Sequence, residues 1–444
     1  MEKTKVAIVG VGTVGSGVAR LLLDHGDRTA RHAGRTLWLE KATVRDLNKS
    51  RDCDLPFGVL TQDIQEVLDD PEISVVALLI GGLEPARTIM LKLLESGKNV
   101  VTANKALLAE HGAELFDRAR ELGCCIAFEA AVAGGIPIIA NVSQCLSANQ
   151  VIALQGILNG TSNFIVHKMD EQSWSYADAL AEAQRLGFAE ADPTLDVDGT
   201  DAAQKLAILA HLAFGVRVRW QDIARTGIDS LESIDLRFAS ELGYRIKLIA
   251  HARLTDGRVE LSVSPTLVRK GQPLAEVRAN YNAISVVGDA VGDLFFHGQG
   301  AGQMPTASAV VADMIDVAVG RAAITFRTLE LWSKREAPVS VAPFDDLPGR
   351  YYMRFEVIDQ PGVMAQLATI LGNERLSIAS IIQHEANPES ASLLKSKIKA
   401  GAPQTIKLVI MTHEAPEGAA RRAVESIMKL PVVTGQAVRM RVLG

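Results

Sequence analysis

The sequence predicts an α/β chain in three parts: a doubly wound parallel-sheet domain, a mixed α+β domain, and a small C-terminal α+β domain of split βαββαβ order. Three observations carry this. Residues 4–140 alternate short β-branched runs (KVAIVG, LWLEKATVRD, SVVALLIGG, KNVVTAN, CCIAFEAA) with helical patterns, the mark of βαβ units. Residues 141–300 mix strands with longer amphipathic helices such as TDAAQKLAILAHLAF. After an aperiodic stretch rich in Pro and charge (LWSKREAPVSVAPFDDLPG), clean strand alternation restarts at YMRFEV.

The boundaries follow from these shifts. Residues 1–140 form the first domain and 141–330 the second, with 301–330 as one long apolar helix packing back on the first. Residues 331–349 are a linker, and 350–444 a separate small domain. A chain of 444 residues is too long for one ordinary core. Its apolar share of 48% and charged share of 22% are those of a soluble globular protein. The net charge of -6 gives no footing for nucleic acid. No apolar run reaches the roughly 18–20 residues of a membrane helix. The start runs straight into a strand, leaving no room for a signal peptide, and a cytoplasmic protein is expected. The four cysteines (Cys53, Cys124, Cys125, Cys145) fit no zinc spacing and are expected as reduced core thiols.

The strongest motif opens the chain. A strand over residues 6–9 leads into Gly10-Val11-Gly12-Thr13-Val14-Gly15 and then a helix, the G-x-G-x-x-G setting of a Rossmann dinucleotide site. Gly10 permits the tight turn, Gly12 lets a pyrophosphate approach the backbone, and Gly15 lets helix and strand pack closely. The helix N-terminus, with Thr13 and Val14, offers free N–H groups to the phosphates. A glycine turn without ligand is the bland alternative. The second strand should end at the residue that reads the ribose, and here it ends Val44-Arg45-Asp46. Arg45 suits a 2′-phosphate and Asp46 a free hydroxyl, so NADP is favoured weakly over NAD. Residues 24–35 are expected as an inserted loop.

Further segments follow. Thr102-Ala103-Asn104-Lys105 ends a strand of the first sheet, so Lys105 should face the crevice where such sheets bind ligands. Then come residues 129–137 (EAAVAGGIP), 156–161 (GILNGT), 187–193 (GFAEADP), 196–201 (DVDGTD) with Lys205, and 300–306 (GAGQMPT). Asp201 and Lys205, four apart on a helix, face one side.

At these residues the chain resembles the homoserine dehydrogenase family, which reduces aspartate 4-semialdehyde to homoserine with NAD(P)H. The resemblance implies Lys205 as proton donor, Asp201 as its orienting partner, and Lys105 as a second cation near nicotinamide and substrate. It implies substrate contacts at Gly160, Thr161, Glu190 and Asp196, and cofactor contacts extending to Thr102, Lys105 and Gly302. It also implies a structural sodium site at Glu129, Val132, Gly134 and Ile136, and a homodimer or homotetramer. Phe188 stands where many members carry Tyr, and Leu78 where many carry an acid. In the C-terminal domain, Asp359-Gln360-Pro361-Gly362-Val363 resembles the ligand loop of ACT domains, which implies an amino-acid effector, with threonine expected. A long insertion, residues 386–403, separates its second and third strands. Two other readings remain: another Rossmann semialdehyde oxidoreductase, which would need a nucleophilic Cys beside a His, and a catalytically inactive dinucleotide or amino-acid sensor.

Overall fold

The computed structural model describes residues 2–333, 339–384 and 404–443. The first sheet has six parallel strands: β1 (Lys3–Val9), β2 (Thr36–Thr43), β3 (Leu60–Thr61), β4 (Ile73–Leu78), β5 (Asn99–Thr102) and β6 (Ile126–Ala127). Their order, β3-β2-β1-β4-β5-β6, is that of a Rossmann domain. Helices cover both faces, so central strands are apolar without alternation, and Val6, Ala7, Ile8, Val76, Ala77 and Leu78 are all fully buried. Strand order reverses between β1 and β4, which opens the crevice at their carboxyl ends.

Two expectations are corrected here. Residues 24–35 are not a loop: Gly26–Ala33 is a helix, its Ala30 and Ala33 buried, closed by Gly34 in the left-handed region. Residues 301–330 are not one helix but two, Gln303–Ala318 and Arg321–Leu329, interrupted at Gly320 (φ 84°). The first of them packs on Thr13–Asp24 closely enough that a Cβ on Gly17 would lie 2.9 Å from Ala307 Cβ.

The remaining strands are β7 (Val151–Ile157), β8 (Ala224–Arg225), β9 (Tyr244–Thr255), β10 (Arg258–Arg269), β11 (Tyr281–Gly288), β12 (Gly292–Gln299), β13 (Ser340–Val341), β14 (Pro348–Ile358), β15 (Ile378–Gln383), β16 (Thr405–Thr412), β17 (Ala415–Pro416) and β18 (Val438–Leu443). Nine of them run as one mixed sheet, β12-β11-β7-β9-β10-β18-β14-β16-β15, with β8 and β13 on β10 and β17 on β14.

The C-terminal segment has the βαββαβ order read from sequence, with helices Val363–Asn373 and Glu417–Ile427. Its strands lie in the order β18-β14-β16-β15. It is not separate from the rest, however. β18 pairs in parallel with β10, Thr266 opposite Arg441, and so makes the C-terminal strands continuous with those of the middle domain. Strand alternation gives β14 two packed faces. Tyr351, Met353 and Phe355 meet the two helices in a core of their own. Tyr352 and Arg354 turn the other way, onto helix Ser233–Glu241. The stretch read as a linker is also anchored: Trp332 stacks on His211 with ring centroids 4.6 Å apart, and β13 joins β10. The expected insertion lies outside the described residues. Of the cysteines, Cys124 and Cys125 are buried, Cys53 is half-buried and Cys145 is exposed, so the expected core thiols are two of four. Among the described residues no helix is long and apolar enough to cross a membrane.

Candidate functional site

The glycine loop has the geometry its sequence dictates. Gly10 sits at φ 99°, where a Cβ would lie 2.7 Å from Ile80 Cγ2. At Gly15 a Cβ would fall 2.1 Å from Gly10 O, so only glycine lets the helix begin there. Gly12 differs, with nothing within 4 Å of its Cβ position: that face is open to a ligand. The helix Thr13–Asp24 has no side-chain cap, so the first-turn N–H groups, including those of Thr13 and Val14, lack a side-chain partner. A dinucleotide pyrophosphate fits this cradle.

At the ends of neighbouring strands, Arg45 is exposed just past β2. Thr102 is fully buried, and its hydroxyl bonds Leu78 O at 3.1 Å and Asn104 N at 3.1 Å. Its side chain thus braces the turn rather than facing the crevice. Asn104 caps helix Lys105–Glu121 through Leu107 N and donates to Ile80 O and Gly82 O, locking the β4 and β5 ends together.

Lys105, at the start of that helix, reaches a polar pocket of about 690 Å³ between the two sheets. Gly160, Thr161, Glu190, Asp196, Asp201, Lys205 and Gly302 line it too. Asp201 is its centre. Lys205 Nζ lies 2.7 Å from Asp201 Oδ2, and Lys105 Nζ lies 3.0 Å from Oδ1. Burial alone would raise the Asp201 carboxyl. The two ammonium groups and the Asn159 amide overcome that and hold it well below the ordinary carboxylate range. The same carboxylate raises Lys105 above its usual value. Lys205 Nζ also donates to Leu158 O at 2.7 Å.

The run of carboxylates divides by function. Asp192 accepts from Thr194 N and Oγ1, and Asp198 from Thr200 N and Oγ1, so both are capping turns. Glu190 is exposed on the pocket wall. Asp196 is half-buried, and burial raises its carboxyl against the opposing bond from Asn159. Thr161 Oγ1 donates to Phe188 O at 2.7 Å, so the Phe188 backbone closes that wall whatever its ring carries.

Two residues that complete this arrangement were given no role by the sequence reading, although the first lies in its 156–161 segment. Asn159 donates to Asp196 Oδ1 at 2.7 Å and Asp201 Oδ2 at 2.9 Å, while its own oxygen caps helix Gly160–Gln172 through Ser162 N. An Asn just before a helix was a legible cap signal. Asn282 donates to Leu158 O at 3.0 Å, the carbonyl that also receives Lys205. Sitting inside β11, it gave no signal at all.

Glu129 is buried, and its two oxygens accept Ile139 N and Ala140 N, each at 2.8 Å. The carboxylate therefore caps the short helix Ile138–Ala140. Each carboxylate oxygen keeps a further lone pair, so this capping role does not bar Glu129 from a cation site. Among the described residues no cysteine lines the pocket, so the thioester alternative has no nucleophile there.

Comparison with known proteins agrees with this geometry. Residues 10–129 match a family model described as homoserine dehydrogenase, NAD binding domain, and residues 137–315 match one described as homoserine dehydrogenase. The chain is 42% identical over 445 residues to a homoserine dehydrogenase of Pseudomonas aeruginosa, covering 100% of this chain and 99% of that one. It is 38% identical over 448 residues to that of Bacillus subtilis, with coverage of 100% and 99%. A solved homoserine dehydrogenase from Thiobacillus denitrificans superposes with a TM-score of 0.89 at 39% identity, covering 100% of this chain and 99% of its own. A hyperthermophilic archaeal homoserine dehydrogenase mutant, solved in complex with NADPH, superposes with a TM-score of 0.59 at 25% identity, covering 72% and 98%. The glycine cradle, the lysine-flanked carboxylate pocket and these full-length likenesses agree: the chain belongs to the homoserine dehydrogenase family of NAD(P)-dependent oxidoreductases.

Proposed function

We propose that aspartate 4-semialdehyde is reduced to homoserine in the Lys105–Asp201–Lys205 pocket, with Lys205 as the proton donor. One observation carries this reading. Lys205 Nζ is held by two acceptors, Asp201 Oδ2 and Leu158 O. An ammonium has three hydrogens, so one remains for the substrate carbonyl oxygen. Bound NAD(P)H supplies the hydride to the aldehyde carbon. Lys205 then gives its proton to the oxygen, leaving the alcohol and a neutral amine that solvent reprotonates. Asp201 fixes Lys205 and Lys105 against each other, and Glu190 and Asp196 face the substrate ammonium. A Lys205→Ala enzyme that keeps its NAD(P)H affinity but loses turnover is the test. An inactive sensor is the weaker reading, because the donor, its carboxylate and the cradle are all in place.

Arg45 is proposed to read a 2′-phosphate, since it stands exposed where β2 meets the crevice. Arg45→Ala should then raise KM for NADPH more than for NADH, because the lost charge-assisted bonds exist only with the phosphate. Equal losses would make Arg45 a bystander. The proposed sodium site is Glu129 with Val132, Gly134 and Ile136, an all-oxygen set that suits a hard cation. We propose further that the enzyme acts in the cytoplasm as a homodimer or homotetramer.

The C-terminal unit is proposed to be an ACT domain that binds threonine. Gly362 (φ 88°) sets the turn before helix Val363–Asn373, which has no side-chain cap and can hold a carboxylate. Threonine should lower activity several-fold, corresponding to a coupling of about 1–3 kcal/mol. Gly362→Val, which strains a left-handed turn, should remove that inhibition. Inhibition that persists in this variant would place threonine elsewhere.

A further inference from the structure

We propose that Lys247 and Asn163 are a pair of positioning residues that hold the turn at residues 277–281 against Gly160 and so shape the substrate pocket. The inference rests on the reading of that pocket as the substrate site.

Lys247, in β9, is only 3% exposed. Its Nζ donates to Val277 O at 2.5 Å and to Asn163 Oδ1 at 3.1 Å. Among the described residues no carboxylate comes within salt-bridge distance of it, and burial lowers its ammonium to about 8. An unpaired buried cation is costly, so a core built only for stability would hold an apolar side chain here. The ammonium fixes which way the Asn163 amide points. With its oxygen turned to Lys247, Asn163 Nδ2 donates to Ala279 O at 2.9 Å, Tyr281 O at 3.3 Å and Val277 O at 3.4 Å. Three alternate carbonyls are thus gathered on one side of the turn. Ala279 between them is held at φ 50°, a conformation that alanine rarely adopts.

The other side of the turn faces the pocket. Asn280 lines it, and its carbonyl lies 2.5 Å from where a Cβ on Gly160 would stand. Two residues on, Asn282 donates to Leu158 O, the acceptor that fixes Lys205. The pair therefore sets the Asn280 wall directly and the Lys205 acceptor at one remove. The wall lines the proposed substrate pocket and the glycine cradle lies on the other sheet, so the effect should fall on substrate binding.

The test uses two variants of the full-length enzyme. Asn163→Asp keeps the side-chain shape and gives Lys247 a carboxylate partner, but it replaces the donor to the three carbonyls with an acceptor. Lys247→Met fills the space without the ammonium. In both, KM for aspartate 4-semialdehyde should rise about tenfold, with a smaller fall in kcat and unchanged NAD(P)H dissociation constants. Wild-type KM in folded Asn163→Asp enzyme overturns the proposal, even if Lys247→Met fails to fold. A merely structural role would lower the unfolding temperature and leave KM alone. Wild-type turnover in Lys205→Ala would instead overturn the reading of the pocket. A slow Lys205→Ala enzyme beside an unchanged Asn163→Asp one removes only the positioning role.

Discussion

Replacing Lys205 with alanine is expected to lower kcat by about 10²–10⁴-fold, the usual worth of a positioned general acid. NAD(P)H binding should be unchanged, because Lys205 lies outside the glycine loop. Asp201 should remain ionised through Lys105, 3.0 Å away, so the variant removes the donor without leaving its carboxylate partner unpaired. Lys205→Arg should stay slow as well. It keeps the charge, but guanidinium does not release a proton in this range and cannot reproduce the two bonds to Asp201 and Leu158. Both lysines share the Asp201 carboxylate, which raises Lys105 above its usual value. As the proposed donor, Lys205 would owe its advantage to orientation: two fixed acceptors aim the remaining hydrogen. Single-turnover rates for the two variants, beside fluorescence titration of NADPH, measure it. Near-wild-type rates in Lys205→Ala would remove this residue from the chemistry.

What was legible in the sequence follows from how local the signal is. The glycine loop is a local backbone demand, and Gly10 and Gly15 sit where a Cβ has no room. The pair Asp201 and Lys205 was readable because helical spacing alone brings them together. Lys105 was readable because strand ends in such sheets face the crevice. Asn282 and Lys247 were not, since each acts through a partner more than 80 residues away in sequence. The linker and separate domain were misread for a related reason. Composition at residues 331–349 shows a break in periodicity, but not that Trp332 stacks on His211 or that β18 completes its pairing on β10. An edge strand carries no mark of which sheet it will join.

Asp235→Ala should destabilise the docking of the C-terminal unit by about 3–5 kcal/mol, the cost of stripping one partner from a buried ion pair. Arg354 and Asp235 have side chains only 2% and 0% exposed, and they meet at 2.6 Å. Tyr352 Oη donates to the same Asp235 oxygen at 3.0 Å, and Glu232 takes a second Arg354 donor at 2.7 Å. Alanine at 235 would leave a guanidinium and a phenol buried with only the exposed Glu232 in reach. Replacing the pair together, as Asp235→Ala with Arg354→Met, should recover much of the loss, because no charge then remains uncompensated. Hydrogen exchange reads this locally: amides of β14 and of helix Ser233–Glu241 should lose protection in the single variant and regain it in the double. The same contact sits at one end of the sheet whose other strands carry the pocket. β7 runs into Leu158 and Asn159, and β11 holds Asn282. If threonine acts through the C-terminal unit, the single variant should also weaken its inhibition, since a loosened dock transmits less of any preference between arrangements. Full protection and full inhibition in Asp235→Ala would show that the β10–β18 pairing alone couples the two ends.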